Sequence, residues 1–348
     1  GMSGQAFQLG IAISVYELLG GVSLLIVAVY FLPMYLNNKI YTMPQFLATR
    51  YNEQVSSIMA LFWLLVYVFV NLTSIIYLGA LAITSIANIS FMTCVVSLSL
   101  FSIIVTIGGM RVIGYTDVIQ VAVLILGGLV TTYLSLTLLS EEFGLGKDFM
   151  AGLGILKKEA PGHFHLILEK GHPHYDKLPG LGVIFGGMLI NNLAYWGCNQ
   201  YITQRALGAD LKTARGGILF AAFLKLLMPI IVVLPGIAAY VLYQNGGFQT
   251  EMLHDGSVNP DRAYPVLLNL LPVGLKGLSF AALTAAIVAS LAGKANSIAT
   301  IFTLDVYKNK INTEATDKKL ISIGKITIAI ALFVAVLVAP FLGIDKKG

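Results

Sequence analysis

Eight stretches of this sequence, at 9–36, 56–83, 89–109, 115–139, 182–204, 214–242, 273–306 and 320–341, are nearly unbroken runs of apolar residues. A helix needs about 20 such residues to cross the hydrocarbon of a bilayer. Several runs are longer than that, so tilt or extension beyond the bilayer is expected. Composition agrees. Only 11% of the 348 residues are charged and 57% are hydrophobic, whereas a soluble domain carries about 25% charged residues. Such a chain cannot cover itself with polar surface, and its main solvent is lipid. The expected fold class is all-α, a polytopic membrane helix bundle.

The net charge of +5 is not a nucleic-acid signal, because the basic residues sit mostly in short loops. Lys39, Arg50, Arg111, Arg205, Lys212, Arg215, Lys308, Lys310, Lys318, Lys319 and Lys325 lie in or beside one alternating set of loops. The opposite loops, 140–181 and 243–272, are longer and hold six basic and nine acidic residues. The positive-inside rule then places the first set in the cytoplasm. Pro44 in the first cytoplasmic loop is placed to start a short surface helix. Cys94 and Cys198 both fall in apolar runs and read as small buried residues, not as a disulfide. The sequence opens GMSGQAFQLG with no secretory signal, so Gly1-Met2 reads as a tag scar or as an internal cut. His163, His165, His172 and His174 share one outer loop. They read as a metal site or as a solvated loop, and no Cys or third-ligand spacing favours metal.

A charge at bilayer depth is costly and marks a functional pathway by default. Glu17, Lys225, Lys294 and Asp117 are such charges. Lys225, in FAAFLKLLMPIIVVLPG, has about ten mostly apolar residues on either side and is too deep to reach water readily. Glu17 is a counterpart for it, as a structural ion pair or as half of a binding site. The fifth run, GVIFGGMLINNLAYWGCNQYITQRAL, is interrupted by Gly186-Gly187, Asn191-Asn192, Gly197, Asn199 and Gln200. It reads as a discontinuous helix lending backbone groups to a ligand, with the break expected at residues 191–195. The alternative is an ordinary helix whose Asn residues bond neighbouring helices. Glu17, Asn192, Lys225 and Tyr195 together supply an acceptor, a donor–acceptor, a donor and a flat apolar face, which is what a pyranose needs. In the seventh run Ala282, Ala285, Ala286, Ala289 and Gly293 form a small-residue packing face. Ser290, Ser297 and Thr300 add hydroxyls that serve either a sodium ion or their own helix backbone.

The stretches FVNLTSIIYLG, YTDVIQVAVLILGG, APGHF, NLAYWGCNQYITQRAL, GILFAAFLKLLMPIIVVLPGIAAYV and NSIATIFTLDVYK resemble the sodium:solute symporter family, and within it the bacterial sodium/glucose and sodium/galactose cotransporters. They run through the whole chain in family order. The resemblance implies an inverted-repeat, leucine-transporter-like core, of which residues 1–348 are one transmembrane transporter domain. It also implies that the start at Gly1 is internal, that the unwound part of the first broken helix is absent, and that the tenth core helix begins beyond Gly348.

By resemblance, Glu17, Asn192 and Lys225 are sugar ligands, Tyr195 is the aromatic gate, and Tyr16 and Trp196 flank it. Asp117 lies on the inward sodium path, and Ala286, Ala289 and Ser290 occupy sodium positions. Two departures stand out. Family members have two adjacent hydroxyls where this chain has Ala289-Ser290, and an apolar residue where it has Lys294. At i to i+4 from Ser290, the Lys294 ammonium is placed to occupy or weaken the sodium site. The alternative is that Lys294 reaches cytoplasmic water.

The function implied is secondary active symport: sodium and a hexose enter together across a bacterial inner membrane, with Na+ as the co-transported ion. The competing readings are a sodium-independent or proton-coupled sugar carrier, and a solute sensor or channel. An enzyme is not expected, since no HExxH or GxSxG and no paired intramembrane His or Asp is present.

Overall fold

A computed structural model of the chain describes residues 2–87, 89–178, 180–254 and 256–342. Gly1 and Gly348, at which the resemblance places the ends of a fragment, lie outside the described residues. Seven helical stretches are long and apolar enough to cross a membrane, and a shorter apolar helix, Phe91–Ile107, adds an eighth hydrophobic segment. In chain order the helices are α1 (Met2–Leu9), α2 (residues 14–37), α3 (Met43–Arg50), α4 (Glu53–Thr84), α5 (Phe91–Ile107), α6 (Gly109–Glu142) and α7 (Phe149–Glu159). There follow α8 (residues 180–198), α9 (Gln200–Ala206), α10 (Leu211–Gln244), α11 (Ala263–Leu268), α12 (Val273–Ile311) and α13 (Asp317–Leu342). A two-residue hairpin, β1 (Leu253–His254) and β2 (Ser257–Val258), lies in the loop before α11. All eight apolar runs are helical, and their ends lie within a few residues of the hydropathy limits.

The beginning of the first run differs. Instead of one helix starting at Leu9, α1 ends there and a 3-10 turn, Gly10–Ile13, leads into α2. Gly10 has φ +64, a backbone conformation open to glycine at little cost. The helices start where side chains satisfy their free N–H groups. Thr42 accepts from Gln45 N at 3.3 Å with Pro44 in the first turn of α3, as the sequence predicts. Asn52 accepts from Val55 N at 2.9 Å, and Asp148 accepts from Met150 N at 2.7 Å and Ala151 N at 3.1 Å.

The chain divides into two compact units. Unit 1 comprises Gly1–Phe31, Val123–Gly197 and Lys212–Ser279. Its core is built from Ala6, Leu136, Leu156, Val233, Ile237 and Leu267, among others. In it α1 lies along the segment Leu234–Gln244, where Gly236 leaves room for the Ser3 carbonyl and the Ala6 methyl. The His-bearing loop also belongs to this unit. His163 stacks on Tyr240 at 4.1 Å between ring centroids, and its Nε2 donates to the Phe7 carbonyl at 3.1 Å. The His172 and His174 rings are 5.8 Å apart, and His172 Nδ1 accepts from the His174 N–H. The ring of His163 is thereby engaged in holding the loop on α1.

Unit 2 comprises Leu32–Ala122, Cys198–Leu211 and Phe280–Gly348. Its core holds Ala60, Tyr67, Leu72, Ile76, Leu98, Leu291, Ile298 and Leu332. The segment Asp317–Val338 packs on α5 and on α4. Cys94 is buried there, and Cys198 lies 3.9 Å from the Tyr35 hydroxyl. Both are free thiols, as their apolar setting in the sequence predicts.

Candidate functional site

Three helices of unit 1 bring the expected polar groups together. Glu17 projects from the first turn of the Ser14–Ile26 segment and is 7% exposed. Lys225, in α10, places Nζ 2.5 Å from Glu17 Oε2. The same ammonium lies 4.6 Å from the ring centroid of Trp196 in α8. The Trp196 indole N–H donates to Asn192 Oδ1 at 3.3 Å. The helices approach closely because Gly20 presents no side chain: a Cβ there would meet Trp196 Nε1, Asn192 Oδ1 and the Lys225 stem at 3.2–3.5 Å. Carboxylate, ammonium, amide and indole thus form one contiguous group.

The aromatic neighbours take different places. Tyr195 meets the group through an edge contact with Trp196, centroids 5.1 Å apart, and is itself exposed. Tyr16 is exposed beside Glu17.

The break in α8 is not at residues 191–195. Leu189–Cys198 is regular helix, and the Asn192 amide donates to Met188 O at 3.0 Å along its own axis, which satisfies it without opening the helix. The backbone departs from helix at two flanking places instead. At Gly186 (φ −93, ψ −106) no side chain resists the distortion. At Asn199 (φ −82, ψ 119) the side chain caps α9 by accepting from Tyr201 N at 3.1 Å.

In unit 2 the expected cation-path residues group around α12 and α9. Asp117 Oδ2 takes Arg205 Nη2 at 3.1 Å, and Arg205 sits 4.9 Å from the Tyr201 centroid. Ala289 is buried, and Ala286 and Ser290 are partly buried. The other two hydroxyls follow the backbone-bonding alternative. Ser297 Oγ donates to Gly293 O at 2.9 Å, and Thr300 Oγ1 donates to Asn296 O at 2.9 Å.

Lys294 is 3% exposed, so it does not extend into cytoplasmic water. Its Nζ lies 4.5 Å from the Tyr67 centroid and 4.4 Å from that of Tyr201. The sequence reading missed these rings. Spacing relates residues on one helix, but Tyr67, Tyr201 and Lys294 come from three. The sequence gives Asp305 no role. The helix continues through it, it is buried, and Thr42 Oγ1 donates to its Oδ1 at 3.0 Å.

A profile of the sodium:solute symporter family matches residues 1–343. The chain belongs to the sodium:solute symporter family. Among the relatives of this symporter-family chain, the sodium/glucose cotransporter of Vibrio parahaemolyticus is 45% identical over 99% of the chain, which spans 64% of that protein. Human sodium/myo-inositol cotransporter 2 is 33% identical over 100% of the chain, which spans 53% of it. The chain thus covers between half and two-thirds of the length of these relatives.

A solved structure of a Na+-coupled sialic acid symporter, in a substrate-bound outward-open state, matches 99% of the chain and 71% of its own, with TM-score 0.84 and 22% identity. That likeness gives the fold: an all-α, leucine-transporter-like bundle of a multi-pass membrane protein, as the family membership requires.

Proposed function

We propose that this chain carries the transport machinery of a carrier that couples inward sodium movement to uptake of a hexose by alternating access, in a bacterial inner membrane. Residues 1–348 act in it as one transmembrane transport domain. The observation that carries this reading is the Glu17–Lys225–Trp196–Asn192 group, drawn from three membrane-crossing helices. Without ligand the two charges neutralise each other. A sugar entering the group would accept from the Lys225 ammonium and the Asn192 amide and donate to the Glu17 carboxylate. Trp196 and Tyr195 offer faces for its C–H side.

The Ala286 carbonyl and the Ser290 hydroxyl are the proposed sodium ligands on α12, and Asp117 the acid on the inward path. The family consists of transporters, and none of these groups is given a catalytic task. The name of the 45%-identical Vibrio relative favours glucose. A polyol is the second reading, favoured by the 33% identity to the myo-inositol cotransporter.

The test is uptake by the intact protein in proteoliposomes, offered glucose, galactose and myo-inositol with and without an inward sodium gradient. Accumulation above equilibrium that needs the gradient, together with counterflow of preloaded sugar, is expected. Equilibration without counterflow would indicate a channel, and saturable binding without flux a sensor. Either would end the symport reading.

A further inference from the structure

Lys294 is a buried cation to which the symport reading gives no task. Its ammonium faces two tyrosine rings at 4.4 and 4.5 Å, and among the described residues no ion pair reaches it. Asp117, the acid of this cluster, is already paired with Arg205 at 3.1 Å. Ring faces attract cations through their quadrupole and stand in for lost hydration.

Both rings are held in place. The Tyr67 hydroxyl donates to Asn199 Oδ1 at 2.9 Å and accepts from Gln200 N at 3.0 Å. Tyr201 packs on Gly293, where a Cβ would lie 2.7 Å from its ring, and its hydroxyl accepts from Arg205 at 3.4 Å. Gln204 ties α9 to α12 through Gly293 O at 3.1 Å and Ser297 Oγ at 2.7 Å. The aromatic seat is therefore built into the packing of α4, α9 and α12. Helical side chains lean toward the N-terminus, so the stem of Lys294 starts one turn beyond Ser290 and runs back toward it. A unit charge fixed at that range, away from water, opposes any second cation placed there.

We propose that Lys294 is a tethered cation that sets the ion requirement of the carrier. Its ammonium weakens sodium binding at Ala286 and Ser290, so sugar uptake depends less steeply on sodium than it would with an apolar residue at this position. This rests on the symport reading above, and the test separates the two.

Binding of radiolabelled sodium to the intact purified protein is measured beside sodium-dependent sugar uptake, for wild type, K294M, K294Q and K294R. The neutral variants are expected to bind sodium about a hundredfold more tightly, the order produced by removing a unit charge about one helical turn away at an effective dielectric constant of about 20. K294R should stay weak. Unchanged sodium affinity in K294M and K294Q, or equal tightening in K294R, overturns the proposal. So does failure of both neutral variants to fold, because Lys294 would then be structural. Absence of sugar uptake by wild type under any gradient overturns the symport reading instead, while the sodium isotherms still decide the role of Lys294.

Discussion

Glu17 and Lys225 are paired at 2.5 Å with little exposure, and removing one partner leaves the other as an uncompensated charge. Glu17→Gln is therefore expected to lower thermal stability in detergent by about 1–3 kcal/mol and to abolish measurable sugar binding. The double variant Glu17→Gln/Lys225→Gln should recover most of the stability and none of the binding. Recovery of both would reduce the pair to a structural ion pair. His163 makes a second residue-scale prediction. Burial lowers its pKa below 6.5, the hydrogen bond to Phe7 opposes this, and His172 and His174 lower it further. The folded state therefore prefers neutral His163. Its contribution is complete above pH 6.5 and is lost as pH falls from there through the folded value. The melting temperature should drop on acidification from pH 7 to about pH 5, and less in His163→Gln. Equal drops in the two proteins would mean that His163 is not the responsible group.

At the scale of elements, hydropathy marked where helices run but not where they turn. The eight apolar runs were legible because each lipid-facing helix must be apolar over the full hydrocarbon thickness. The turn at Gly10 was not, since a positive φ depends on what packs against it, here the His163 backbone. The sequence places the opening in α8 at residues 191–195 because polar residues suggest an unwound turn, yet Asn192 bonds its own helix. The actual openings sit at Gly186 and Asn199. Convergence of Glu17, Asn192 and Lys225 was legible because intramembrane charges need partners. The cage of Lys294 was not, since two tyrosines among 16 carry no mark of it. Gly10→Ala should cost about 1–3 kcal/mol, seen as lower thermal stability and faster hydrogen exchange in α1. Tyr67→Phe leaves the Gln200 N–H without its acceptor. A loss of about 1–3 kcal/mol is expected, with α9 rather than α4 showing the greater gain in exchange. A uniform change across both helices would argue against Tyr67 as the tether of α9.

For the whole molecule, sidedness follows from charge rather than from packing. Eleven basic residues flank one set of short loops, while the longer opposite loops carry more acid than base. Short basic loops resist translocation, and long loops cross largely regardless of charge. The rule then assigns the His-bearing loop to the outside and the end of α12 to the inside, a prediction that labelling can check. Lys170 and Lys310 are both exposed, one on each proposed side, and serve as reporters. In a background with Cys94 and Cys198 replaced by Ala, Lys170→Cys should react with a membrane-impermeant maleimide added to spheroplasts. Lys310→Cys should react only in inverted vesicles. In the proposed symport the sodium gradient sets the direction of net flux, and the orientation decides which face of the protein meets the sodium-rich side: with Lys310 inside, it is the face of the His-bearing loop. The reverse labelling pattern would place the basic loops outside and overturn this assignment of sidedness.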